Sequence, residues 1–323
     1  MNNVSWKSRK VIIVGAGAVG ATFAYALAQS GLADEIGLLD ANHELATGQV
    51  LDLAHGQAYY PSVQIRVAEK EDYADAHLIV ITAGARQRPG ESRLALLQRN
   101  AGIVQNIMDE ILRQNSPAVV LVATNPVDVL TYVAHQRAGW PRGRVLGSGT
   151  VLDSGRFRYL LSQHCRMDVH NVHAYILGEH GDSELPAWSM TNVAGIPIEE
   201  FCPSCEQCGN WEMHRNKIVE DVKNSAYHII DCKGSTCFGV GMALTRIAGV
   251  ILRNQNSVLT VSAVLAGEYG LSGVSLGVPC IVSLKGVERI LRVNLPPVEQ
   301  KGLEKSAAIL QEMIGQLQAA GIL

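Results

Sequence analysis

The ten residues "VIIVGAGAVG", positions 11–20, constrain this chain more than any other stretch. Four apolar residues run directly into glycines at 15, 17 and 20, and an alanine-rich segment follows. That order reads as a buried strand, a tight turn and a helix. The glycines match G-x-G-x-x-G, in which one permits the turn, one lets a pyrophosphate approach the backbone, and one lets the helix pack on the strand. The helix N-terminus then offers unpaired N–H groups and the positive end of its dipole to phosphate. A glycine-rich turn with no ligand is the competing reading. The setting argues against it, because a second strand, "IGLLD", ends at Asp40, twenty residues after Gly20. A carboxylate there accepts both hydroxyls of an adenosine ribose and repels a 2′-phosphate, so the expected cofactor is NAD rather than NADP.

The rhythm continues through the first half. Strands are expected at 11–14, 36–39, 65–67, 78–81, 119–122 and 145–146, with helices at 20–30, 44–56 and 94–114. Continuous apolar strands alternating with helices call for a parallel sheet covered on both faces. The expected fold class is therefore α/β, a doubly wound Rossmann sheet over residues 1–149, followed by an α+β substrate domain over 150–323. In the second part we expect helices at 152–164, 211–232, 237–254 and 297–318, and strands at 172–177, 258–265, 280–284 and 290–293. Repeats, low-complexity tracts and long linkers are absent from the sequence, so the two parts should pack tightly.

The totals exclude several classes. Apolar residues make up 47% and charged ones 18% of 323 residues, a globular composition. A net charge of −3 with scattered basic residues does not suit a nucleic-acid surface. Lys7, Arg9 and Lys10 precede an uncharged run over 11–33 that superficially resembles a signal peptide or anchor. The turn explains its glycines better, and a cytoplasmic protein without a membrane segment is expected. Seven cysteines without a regular framework also fit a reducing compartment.

Two further stretches carry chemistry. "LGEHGDSELP" places His180 between glycines just after a strand, and "LDSGRFR" places Asp153 and Arg156 three apart on one helix face. A carboxylate can hold the second N–H of an imidazole that moves a proton, and a guanidinium can grip a substrate carboxylate. Asp153 and Arg156 could equally form a plain salt bridge. The loop "GARQRPGESR", residues 84–93, holds Arg86, Arg88 and Arg93. It is either a solvated linker or a lid that binds an anion.

"GAGAVG", "GARQRPGESRL", "ATNPVD", "GSGTVLDSGRFR", "GEHGDSELP" and "KGST", in this order, resemble the NAD-dependent lactate and malate dehydrogenases, bacterial L-lactate dehydrogenases in particular. The resemblance covers essentially the whole chain. It implies that His180, paired with Asp153, exchanges the proton, that Arg156 binds the substrate carboxylate, and that Arg93 polarises the reacting carbonyl. It implies that Asn125 lies at the substrate, with Val19, Gly84, Ala85, Thr124 and Ser148 around the dinucleotide. It makes the arginine loop a mobile lid hinged near Gly84 and Gly90. The position of Gln87 faces the substrate's side group and is arginine in the malate enzymes, while Thr236 matches the small pocket for a methyl group. Arg88, next to Gln87, is expected to face solvent. The pair Arg158 and His173 implies a fructose 1,6-bisphosphate site at a subunit interface, and the family implies a tetramer or a dimer of the same interface. Pyruvate and L-lactate are the expected substrates. Malate dehydrogenase and a non-catalytic NAD-binding sensor of the same fold are the alternatives.

"CPSCEQC" remains outside this scheme. Cys202, Cys205 and Cys208 with His214 have the ligand count of a zinc site. The family needs no metal, so unpaired surface thiols are the plain expectation and no metal is assigned.

Overall fold

A computed structural model describes residues 8–86, 88, 90–204 and 209–323. The first half runs β1 (Lys10–Val14), α1 (Ala18–Ser30), β2 (Glu35–Leu39), α2 (His43–His55), β3 (Gln64–Val67), β4 (Leu78–Ile81), α3 (Arg93–Arg113), β5 (Val119–Val122), α4 (Val127–Ala138) and β6 (Val145–Gly147). These strands pair in parallel in the order β3-β2-β1-β4-β5-β6. β1, β4 and β5 read "KVIIV", "LIVI" and "VVLV" and are buried along their whole length. Helices cover both faces, so every side chain leaves water, at about 1.5–3 kcal/mol for each large aliphatic one. The strand order reverses between β1 and β4, which opens a crevice at their C-terminal ends.

The second half begins with α5 (Val151–Cys165), β7 (Val172–His173), β8 (Ile176–Leu177), β9 (Leu185–Pro186), β10 (Asn192–Val193), β11 (Ile196–Pro197), α6 (Ile198–Ser204) and α7 (Trp211–Lys233). It ends with α8 (Phe238–Leu252), β12 (Ser257–Ala266), β13 (Ser272–Ser283), β14 (Gly286–Ile290) and α9 (Pro297–Ala319). The sheet does not stop between the halves. β12 joins β6 antiparallel through Ser262 and Gly147, and β13 and β14 follow. Among the described residues nine strands thus share one sheet. α8 is apolar on nearly every side because it fills the space against α1, where Gly241 meets Thr22 and Phe23. A second, smaller core gathers Phe157, Leu161, Trp188 and Val222 around α5 and α7.

Three expected elements differ. The strand expected at 172–177 is two short ones, since β7 pairs with β10 and β8 with β9. Between them the Tyr175 carbonyl turns to accept the Ala187 N–H at 2.9 Å. The last strand lies at Gly286–Ile290 rather than 290–293, its start set by a turn in which Gly286 has φ 87°. The strand expected at 280–284 is the end of the longer β13. Among the described residues no helix is long and apolar enough to cross a membrane.

Candidate active site

At the crevice, β1 ends in Gly15 with φ 109°, a conformation that side chains rarely adopt. Its N–H donates to the Leu39 carbonyl at 2.7 Å, and a Cβ on Gly20 would overlap the Gly15 carbonyl oxygen. Turn and helix are therefore locked together. Gly17 is different: a Cβ there would meet nothing within 4 Å. It is the N-cap of α1, and no side chain caps that end. The helix thus presents its first N–H groups to open space, which is what a pyrophosphate needs. Asp40 accepts the Ala16 N–H at 2.7 Å and the Asn42 N–H at 2.8 Å, so its carboxylate is fixed beside the turn. Val19 is half-buried on α1. The residues present fit a dinucleotide.

The opposite wall comes from the loops after β4, β5 and β6. Thr124 is buried and donates to the Ala83 carbonyl at 2.7 Å, while Gly84 packs against its methyl group. The Ser148 N–H donates to the Val122 carbonyl at 2.8 Å. Asn100, which the sequence reading overlooked, accepts the Ala85 N–H at 2.8 Å and donates to the Asn125 carbonyl at 3.2 Å. It ties the root of the arginine loop to Asn125. Its signal, one polar residue on the apolar face of α3, is visible only once that helix is placed.

His180 follows β8. Its Nδ1 lies 2.6 Å from Asp153 Oδ2, and Asp153 Oδ1 accepts from Arg156 Nη1 at 2.8 Å. Asp153 is 1% exposed. A carboxylate only accepts, so Nδ1 carries the shared proton and Nε2 is left for exchange. Burial pushes the His180 pKa down. The charge and hydrogen bond of Asp153, backed by the charge of Asp128, outweigh burial and Arg156 and carry it up to about 9. The salt bridge between Asp153 and Arg156 and the histidine pair are therefore one unit.

His180 opens on a cleft of about 940 Å³, lined also by Arg93, Asn125, Glu184, Lys223 and Tyr227. Arg93 is exposed at the first turn of α3, whose N-cap Ser92 accepts the Ala95 N–H at 3.1 Å. In the loop before it, Glu91 accepts from the Arg88 N–H at 2.9 Å and from Arg99 at 2.8 Å, and Arg99 also reaches the Arg86 carbonyl at 2.8 Å. Arg88 is exposed and Gly90 has φ 77°. Gln87 lies outside the described residues. Thr236 is half-buried between α7 and α8 and is not among the residues lining the cleft. Glu184, unnoticed in the sequence, is 6% exposed, and burial with the nearby Asp153 charge pushes its pKa well up.

Arg158 and His173 stand apart from this cleft. Arg158 lines a groove of about 400 Å³ with Tyr175 and Arg246, its Nε is buried without a partner, and its guanidinium lies 5.7 Å from the Tyr175 ring centre. His173 is exposed on β7. Cys202 corrects the expectation of surface thiols. It is 0% exposed, because α6 turns it into the smaller core near Cys165. His214 stacks on His164 with ring centres 4.8 Å apart. Cys205 and Cys208 lie outside the described residues, and with them the full zinc-ligand set.

Comparison with known proteins gives matches along nearly the whole chain. The family model for the lactate/malate dehydrogenase NAD binding domain matches residues 9–147, and that for the lactate/malate dehydrogenase alpha/beta C-terminal domain matches 150–320. The L-lactate dehydrogenase of Treponema denticola is 55% identical over 311 residues, 96% of this chain and 99% of that protein. That of Acetivibrio thermocellus is 50% identical over 309 residues, 96% and 97% of the two chains. Among solved structures, the minor L-lactate dehydrogenase of Enterococcus mundtii in its ligand-bound form superposes with a TM-score of 0.93 at 42% identity, covering 96% of this chain and 99% of that one.

Proposed function

The chain belongs to the lactate/malate dehydrogenase family and is an NAD-dependent oxidoreductase, and we propose that it interconverts pyruvate and L-lactate. The observation that carries this reading is the unit His180–Asp153–Arg156, joined by contacts of 2.6 and 2.8 Å, whose histidine lines a cleft together with Arg93 and Asn125. NAD, when bound at the glycine turn, supplies or takes the hydride. The residues of the chain do the rest. Arg156 keeps donors beyond the one given to Asp153 and grips the substrate carboxylate. His180 gives its proton to the carbonyl oxygen as pyruvate is reduced and takes it back from the hydroxyl of lactate. Asp153 holds the imidazolium while it exists. Arg93 closes on the same oxygen once water has left, where its charge acts at low dielectric. Asn125, held by Asn100, orients the substrate from the opposite side.

Pyruvate is favoured over oxaloacetate because Gln87, at the position that faces the side group in the family, is neutral; Thr236, which lies off the cleft here, adds nothing to that preference. Finer readings belong here too. Residues 1–149 serve as the dinucleotide half and 150–323 as the substrate half. The protein is cytoplasmic and assembles as a tetramer, and Arg158 with His173 receives a phosphate of fructose 1,6-bisphosphate between subunits. What supports that last point is a guanidinium in a groove with a buried Nε that has no partner. The decisive assay follows loss of NADH absorbance with pyruvate, then with oxaloacetate. Turnover with pyruvate at much the higher kcat/KM is expected. Preference for oxaloacetate would make the protein a malate dehydrogenase, and no turnover with either would leave a binding protein.

A further inference from the structure

Asp128 is a fully buried carboxylate that the proposed chemistry does not use. It stands in the first turn of α4, 1% exposed, three residues after Asn125. Its Oδ2 accepts the His180 main-chain N–H at 2.8 Å, and its Oδ1 accepts from Ser262 Oγ at 2.6 Å. Ser262 in turn lies 2.8 Å from Ser275 Oγ, and both serines are 0% exposed. The residues just before His180 are held as well. Gly178 exchanges main-chain hydrogen bonds of 2.9 and 2.8 Å with Gly277, and the Glu179 N–H donates to Ser306 Oγ at 2.7 Å. The loop that carries His180 is thus pinned by β13, by α9 and by α4. Only the α4 pin brings a charge.

We propose that Asp128 is a positioning residue for the proton exchange: its carboxylate fixes the main chain of His180, and its negative charge holds the imidazole in its protonated form. This rests on the reading of His180 as the proton carrier. A buried charge acts strongly on its neighbours, since little water intervenes to screen it. The groups facing His180 are Asp153 and Arg156 from α5, Asp128 from α4, and Glu179, Asp182 and Glu184 from its own loop, with Lys223 and Tyr227 from α7, Arg93 from α3 and Lys305 from α9 along the cleft. Asp153 and Asp128 favour the imidazolium, and Arg156 opposes it. Burial raises the Asp128 pKa to about 6, against the Ser262 hydrogen bond and the His180 N–H. The carboxylate is therefore ionised across neutral and alkaline pH, the range in which the His180 proton would otherwise be lost.

Two variants separate this from a structural role. Asp128→Asn keeps an oxygen to accept the His180 N–H, removes the charge, and turns the Ser262 contact round so that Oγ accepts from the new amide. Its alkaline limb of kcat/KM for pyruvate should fall at a pH lower than the parent's by roughly half a unit or more. Asp128→Ser is also neutral but shorter, and its alkaline limb should move in the same direction. Melting temperatures and NADH binding show that each variant is folded. If Asp128→Asn is folded and its alkaline limb coincides with the parent's, the inference is overturned. If it fails to fold, Asp128→Ser decides alone, and an alkaline limb that coincides with the parent's overturns the inference. Absence of pyruvate turnover in the parent would instead sink the lactate dehydrogenase reading.

Discussion

His180 carries the clearest pH signature at the scale of single residues. Its pKa is raised to about 9, so the imidazolium is present below that value and lost as pH rises through it. In the enzyme without substrate, kcat/KM for pyruvate should therefore hold through neutrality and fall towards pH 9, whereas lactate oxidation, which needs neutral His180, should rise over the same range. A pair of profiles that did not cross in this way would remove His180 from the role. On the proposed reading, Gln87 carries the substrate preference. Leaving the second carboxylate of oxaloacetate unpaired costs roughly 3–5 kcal/mol, about a hundred- to several-thousandfold in rate. Gln87→Arg supplies the counter-charge, and its ratio of kcat/KM for oxaloacetate over pyruvate should rise by at least tenfold. A ratio within a few-fold of the parent's would show that this side chain does not face the substrate. Among these residues, His180, Asp153 and Arg156 were legible in the sequence because two sit in short patterned motifs and the third follows a strand between glycines. Asp128 was not. It lies inside the quoted "ATNPVD", but nothing in that string says that its partner will be a main-chain N–H fifty-two residues later.

The glycine turn shows how much an element's own sequence dictates. Gly15, Gly17 and Gly20 were assigned separate tasks from spacing alone, and the geometry gives them different surroundings. A Cβ on Gly20 would strike the Gly15 carbonyl, whereas one on Gly17 would meet no protein atom within 4 Å. Gly20→Ala should force α1 from β1 and cost about 1–3 kcal/mol of stability, read as a lower melting temperature. Gly17→Ala should melt within a few degrees of the parent, because the loss at the helix cap is partly offset by the lower freedom of alanine in the unfolded chain, yet bind NADH at least tenfold more weakly by fluorescence titration. Equal affinity in Gly17→Ala would mean that the pyrophosphate lies elsewhere. The parallel strands were equally legible, since runs such as "VIIV" and "LIVI" can only be buried on both faces. The stretch 172–177 was not, because its apolar content is that of one strand while its two ends pair with different partners. Long-range pairing of that kind leaves no mark within the stretch itself.

The whole molecule adds what neither motif nor element contains. If Arg158 and His173 of neighbouring subunits bind fructose 1,6-bisphosphate, the ligand should lower the half-saturating pyruvate concentration. Pyruvate titrations of the parent and of Arg158→Gln, with and without the bisphosphate, decide this, and superimposable parent curves would exclude activation. The continuous sheet bears on a different property. Ser262 both pairs with Gly147, where the two halves meet, and donates to the carboxylate that holds His180. One hydroxyl-bearing residue therefore belongs at once to the joint of the scaffold and to the support of the reacting group. Loosening of this joint on warming should therefore also release the His180 loop, so that a detached dinucleotide half is not expected to persist beside a working substrate half. Activity and tryptophan fluorescence, followed along the same denaturant series, should decline on one curve, and the enzyme should behave towards heat as a fuse rather than a dimmer.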